Sequence, residues 1–140
     1  MSGRDKGGNT TQVTFNGKKT DLHTVWDSSL IDKRAENFDS LYAYQTYLLS
    51  LFRSSVWEDS VQWPKCFPKM KNVFFEMNYL CPFEWASDIN QLNCSFVFRD
   101  IDQDLAGKYF QSSLPIVERS LVMAGVRLAY VLESILTRLE

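Results

Sequence analysis

The C-terminal stretch constrains the fold more than any other part of this chain. Val117, Leu121, Ala124, Leu128, Leu132, Ile135 and Leu139 recur at spacings of three and four, the pattern of one apolar stripe along an α-helix. Ser112 or Ser113 can cap that helix, and Pro115 fits its first turn, where a missing N–H costs nothing. At ~1.5 Å per residue the helix is about 35 Å long, and Gly125 and Ala129 leave room for another helix to approach closely. The stripe is core rather than chemistry. Taken alone, it would equally suit a coiled-coil or helical adaptor.

The remainder reads as mostly helical. Gln12–Phe15 and Lys18–Leu22 flank Asn16-Gly17, the strongest short hairpin signal. Apolar positions from Leu30 to about Arg53 predict one broken helix or two successive ones. Residues 54–80 lack periodicity and hold Pro64, Cys66 and Pro68, which predicts an irregular excursion. Its aromatics, Trp57, Trp63, Phe67, Phe74, Phe75 and Tyr79, read as packing groups rather than base-stacking platforms. A helix is expected from Pro82 to about Phe98, and another over roughly Asp104–Gln111. The fold class is therefore all-α with a short β-hairpin near the N-terminus, in a single domain over 1–140. With 45% hydrophobic and 14% aromatic residues in 140, the chain is not disordered and can bury a core. A net charge of −2 leaves no basic footprint of the kind that grips nucleic-acid backbones. No segment approaches the ~20 apolar residues of a membrane span, and the polar, glycine-rich Met1–Asn9 carries no targeting signal.

Chemistry concentrates in Asp21-Leu22-His23-Thr24-Val25-Trp26-Asp27. His23 is the only histidine in the sequence, and Asp27 follows four positions later. On a helix that spacing sets the two Cβ atoms ~5–6 Å apart on one face, suiting two ligands of one zinc ion, which needs at least one more. By spacing alone, a hydrogen-bonded pair at a helix start is the commoner outcome. Trp26, between them, reads as an anchor for the segment. Asp21 could accept the second ring N–H of His23, although adjacent side chains often diverge.

The order Gly7-Gly8-Asn9, hairpin, then the His23–Asp27 run resembles the zinc-dependent, single-strand-specific S-one/P-one nuclease family, whose fold is similar to that of zinc phospholipase C. Tyr109-Phe110, Leu114-Pro115-Ile116-Val117-Glu118 and Gly125-Val126-Arg127-Leu128-Ala129 resemble the family's closing helix, and Cys81-Pro82 through Trp85-Ala86-Ser87-Asp88 to Cys94 a further segment. The family usually has Asn where Asp21 stands. The resemblance leaves roughly Phe52–Leu80 unmatched.

The resemblance implies a nuclease that hydrolyses phosphodiesters of single-stranded DNA or RNA and 3′-nucleotides. It implies His23 and Asp27 as zinc ligands acting in phosphate binding and charge stabilisation rather than as a general base. It also implies a nucleobase contact at Gly8 and Asn9; on spacing alone the glycines would be an ordinary turn. The family uses a three-zinc cluster with most ligands upstream, and metal charge removes the need for a basic surface. Only Met1-Ser2-Gly3-Arg4-Asp5-Lys6 precede Gly7 here, with no further histidine. The expectation is therefore a C-terminal portion that holds at most one partial zinc site and partners an N-terminal half. The family is mostly secreted, vacuolar or lysosomal and disulfide-bonded. On that implication Cys66 pairs with Cys81 and Cys94 pairs outside the chain, because a continuous helix would hold Cys81 and Cys94 about 20 Å apart. In a cytosolic protein all three would be free thiols. The alternatives are a phospholipase-like zinc hydrolase, against which Gly7-Gly8-Asn9 argues, and a non-catalytic helical interaction module.

Overall fold

The structure, a computed structural model, describes residues 6–65 and 82–137. Two compact units emerge, Met1–Val56 with Asp100–Val122, and Trp57–Arg99 with Met123–Glu140.

The first unit opens with an antiparallel hairpin, β1 (Gln12–Phe15) and β2 (Lys18–Asp21), paired from Gln12↔Asp21 to Phe15↔Lys18. Asn16 and Gly17 both adopt positive φ, 52° and 74°, as a two-residue turn matched to the strand twist demands. Asp104 fastens this turn. Its carboxylate accepts hydrogen bonds from Asn16 N (2.9 Å), Gly17 N (2.6 Å) and Ala106 N (2.9 Å). Those three N–H groups favour the charged form and hold the Asp104 carboxyl below its usual range. Leu105 N–H adds a bond to the Thr14 carbonyl at 2.9 Å.

A helical run follows directly: α1 (Leu22–Thr24), a π-helical turn (Val25–Ser29) and α2 (Leu30–Ala35). Asp21 caps it, accepting from Thr24 N at 2.8 Å and Thr24 Oγ1 at 2.9 Å. Leu22, Val25 and Leu30 are almost wholly buried beside Leu105 and Val13 in the core. After a turn, α3 (Leu41–Arg53) is capped by Ser40, whose hydroxyl accepts from Ala43 N. The broken helix expected from Leu30 is thus two, Leu30–Ala35 and Leu41–Arg53. Arg34 of α2 makes a part-buried ion pair, Nε to Glu118 Oε1 at 2.7 Å, with the guanidinium 5.2 Å from the ring centres of both Phe38 and Tyr47.

The second unit holds a 3-10 turn (Glu58–Gln62), α4 (Pro82–Leu92) and a π-helical turn (Asn93–Val97). The helix expected to run to Phe98 is regular only to Leu92, after which the π turn widens it. Trp57 and Trp63 meet at 5.7 Å between ring centres, Trp63 buried. Arg127 donates to the Trp63 carbonyl at 3.1 Å and covers the Trp85 ring at 5.0 Å. Expectations for Phe67, Phe74, Phe75, Tyr79 and the Cys66–Cys81 pair lie outside the described residues; Cys94 is an exposed free thiol.

Helix α5 (Lys108–Leu136) runs through both units. It starts earlier than its sequence predicts, absorbing the helix expected over 104–111 and leaving Pro115 in the interior. Ser112 and Ser113 are therefore not caps: their hydroxyls donate back to the Lys108 and Tyr109 carbonyls at 3.0 and 2.8 Å. The buried face is Tyr109, Phe110, Ser113, Val117, Glu118 and Met123. The expected stripe is buried only at its start, because Leu128, Leu132 and Ile135 are 59%, 51% and 48% exposed. Among the described residues, an added Cβ on Gly125 would meet no atom within 4 Å. The mostly helical class with one short hairpin holds. No described helix is long and apolar enough to cross a membrane.

Candidate metal-ligand pair

The capped start of the helical run puts His23 and Asp27 on one face, in the first unit. His23 Nε2 lies 2.9 Å from Asp27 Oδ2, with both side chains substantially exposed, 44% and 65%. The other ring nitrogen, Nδ1, lies 3.1 Å from the Gly7 carbonyl. A carbonyl only accepts, so this bond places the N–H on Nδ1 and leaves Nε2 as a lone pair in the neutral ring. A lone pair facing a carboxylate oxygen at 2.9 Å needs a cation between them, a proton or a metal ion. Backbone-carbonyl anchoring of the distal nitrogen is also how metal-binding histidines are commonly oriented. The donor set, one imidazole nitrogen and one carboxylate, fits zinc as two of its ligands. Among the described residues no group of three or more His, Cys, Asp or Glu side chains could hold a metal ion. The pair alone therefore offers two donors, one fewer than such a group.

The glycine loop does a job that its sequence did not disclose. Gly7 and Gly8 have φ of 69° and 93°. A Cβ on Gly8 would come 3.1 Å from His23 N and 3.5 Å from Leu22 Cβ, and one on Gly7 would come 3.9 Å from His23 Nδ1. The loop therefore closes directly onto the histidine, its lack of side chains letting the Gly7 carbonyl reach the ring. Gly8 is buried, and its carbonyl accepts from Thr11 N at 3.0 Å. Asn9 is exposed beside it, its Nδ2 donating to the Lys6 carbonyl at 2.8 Å. Asp21 does not support His23: its carboxylate is committed to Thr24, whose N–H and hydroxyl hold its pKa below the usual range.

Trp26 is the anchor expected of it. Its Nε1–H donates to the Tyr109 hydroxyl at 2.8 Å, with the rings edge-to-face at 6.3 Å. Tyr109, 83 positions away in sequence, is buried, and burial pushes its pKa up to about 12. No periodicity signals this partner; only the resemblance at Tyr109-Phe110 touched it. A separate open cleft of about 370 Å³ is walled by Lys18, Lys19 and Lys33 together with Asp32 and Glu36. Its carboxylates offset its lysines, and neither His23 nor Asp27 lines it.

A hairpin leads into a capped helical run that presents a His–carboxylate pair, with a glycine loop folded over the imidazole, in a mostly helical protein. The chain belongs to the S1/P1 nuclease family, whose model matches residues 1–137. It is 33% identical over 134 residues to "Endonuclease 5" of Arabidopsis thaliana, covering 94% of this chain and 43% of that protein. "Endonuclease 2" of the same plant is likewise 33% identical, over 135 residues. "Nuclease S1" of Aspergillus oryzae is 30% identical over 134 residues, 89% of this chain and 44% of that protein. The chain thus spans about 43% of the length of the relatives that it matches first.

Proposed function

We propose that this chain contributes to a zinc-dependent nuclease that hydrolyses phosphodiester bonds of single-stranded DNA or RNA and 3′-nucleotides. One observation carries the reading: His23 Nε2 and Asp27 Oδ2 converge at 2.9 Å while the Gly7 carbonyl holds the opposite ring nitrogen. His23 and Asp27 would hold one zinc, with the remaining ligands supplied by polypeptide outside this chain, an N-terminal half of the same protein. When bound, the metal supplies Lewis acidity that neutralises phosphate oxygens and lowers the pKa of water toward ~7. The chain's own residues orient that centre. Gly7 fixes the imidazole, Asp21 caps the helix that carries it, and Asn9, exposed beside Gly8, offers an amide to a base edge. The names of the relatives support a nuclease, and the secreted, vacuolar or lysosomal setting follows from the family resemblance.

The test is made on the full-length natural protein. Its zinc content and its hydrolysis of single-stranded DNA are compared with those of His23→Ala and Asp27→Asn. Weaker zinc binding and loss of activity in both are expected; retention of both would remove these residues from the site. A second reading, a non-catalytic helical interaction module, draws on the exposed Leu128, Leu132 and Ile135 of α5. It predicts unchanged partner binding in the same two variants and no hydrolysis at all.

A further inference from the structure

We propose that Tyr109 is a positioning residue for the metal pair, holding Asp27 in place through the indole of Trp26. The inference rests on the zinc reading of His23 and Asp27. The two ligands are secured very differently. His23 is gripped on its ring by the Gly7 carbonyl and along its main chain by Gly8. Asp27 is 65% exposed, and among the described residues its carboxylate meets only His23. Its position is therefore set by its backbone, and that backbone is a π-helical turn, Val25–Ser29, in which Leu30 N–H bonds to the Val25 carbonyl five residues back. Such wide turns are uncommon and depend on their surroundings to persist against an ordinary α turn. An α turn would keep both residues on one face, but it would turn the Asp27 Cα–Cβ bond and shift the carboxylate from its present 2.9 Å approach to Nε2.

Among the described residues, two contacts resist that contraction from outside the run. Val25 is fully buried, an apolar contact with no directional preference. Trp26, the residue immediately before Asp27, donates to the Tyr109 hydroxyl at 2.8 Å and meets its ring edge-on. Tyr109 sits in the first turn of α5, in the same compact unit. Tyr109 is buried and the bond part-buried, so it is partly shielded from competing water. A directional bond to the residue beside the ligand fixes the register that burial alone leaves loose. The Ser28 and Ser29 hydroxyls both bond to the Thr24 carbonyl, at 3.1 and 3.4 Å. Those contacts are local to the run and move with it.

The experiment is a double-mutant cycle on zinc affinity in the full-length natural protein, read by chelator competition alongside thermal unfolding. Tyr109→Phe keeps the ring and removes the hydroxyl. It should weaken zinc binding about 3- to 10-fold, the scale of one hydrogen bond acting on an outer support. In the Asp27→Asn background the same change should have less than about a 2-fold effect, because the group that it positions is gone. Trp26→Phe should reproduce the loss, and the Trp26→Phe/Tyr109→Phe pair should be no worse than either alone. An unchanged affinity in Tyr109→Phe, or an equal loss in both backgrounds, would overturn the proposal and leave Tyr109 as packing. Should His23→Ala and Asp27→Asn themselves leave zinc affinity unaltered, the metal reading falls and this inference with it. If those two weaken binding while Tyr109→Phe does not, the inference alone falls.

Discussion

Replacing Gly8 by alanine probes the glycine loop, and Gly17 provides its own control. Both glycines have positive φ, 93° and 74°. An L-residue in left-handed backbone costs ~1–2 kcal/mol, partly offset by ~0.4–1 kcal/mol from the stiffer unfolded chain. At Gly17 nothing among the described residues lies within 4 Å of an added Cβ, so Gly17→Ala should cost only this backbone difference, about 1 kcal/mol. At Gly8, φ lies outside the narrow left-handed well of roughly +50° to +70°. The new Cβ would also press on His23 N at 3.1 Å, while Leu22 Cβ at 3.5 Å would be in ordinary contact. Relieving that contact adds ~1–2 kcal/mol, for a total near 2–3 kcal/mol. The loop can retreat only by drawing the Gly7 carbonyl from His23 Nδ1, so zinc affinity should fall about 10-fold with it. Urea unfolding and chelator competition on the full-length natural protein measure both effects. Equal destabilisation at the two glycines, with zinc affinity unchanged, would refute the idea that the loop exists to hold the histidine.

Three further outcomes follow from the core. Tyr44 is buried with its hydroxyl unpartnered among the described residues, so Tyr44→Phe should be neutral or stabilise by up to about 1 kcal/mol in urea unfolding. Burial pushes the Tyr44 and Tyr109 phenols up to about 12, from 10. A raised pKa contributes stability that is whole below pH 10 and is lost as pH rises toward 12, at most ~3 kcal/mol per tyrosine. Unfolding followed from pH 9 to 12 should show that decline, and Tyr44→Phe should flatten it. Arg34→Met strands the buried Glu118 carboxylate and should cost about 3–5 kcal/mol by thermal unfolding, most of it recovered in Arg34→Met/Glu118→Met.

What the sequence disclosed, and what it withheld, follows from how far each determinant reaches. The hairpin was legible almost to the residue because Asn16-Gly17 demands two positive φ values on its own. The pairing of His23 with Asp27 was legible as a helical spacing. The start of α5 was not, because Pro115 looks like a first-turn proline and nothing local shows the helix already under way at Lys108. The exposure of Leu128, Leu132 and Ile135 was equally hidden, since periodicity names a face without saying what covers it. The supports of the candidate site were the least visible. Gly7 reaches the His23 ring by a backbone carbonyl, which has no residue signature, and Trp26 finds Tyr109 across 83 positions. The π turn carrying Asp27 arises from packing, not from any motif in Val25–Ser29.

The clamp of Asp104 on the hairpin turn also sets a schedule for biosynthesis. Its two bonds to the turn join residues 88 and 87 positions apart. The Trp26–Tyr109 and Arg34–Glu118 bonds bridge 83 and 84. At translation speeds of ~5–20 residues per second, the hairpin and the His23–Asp27 run wait roughly 4–18 s for the strand of chain that fastens them. Through that interval the nascent helical run has its cap and its glycine loop, but not its anchor. On the proposed zinc reading, the carbonyl that orients the imidazole is therefore synthesised well before the hydroxyl that would steady the carboxylate.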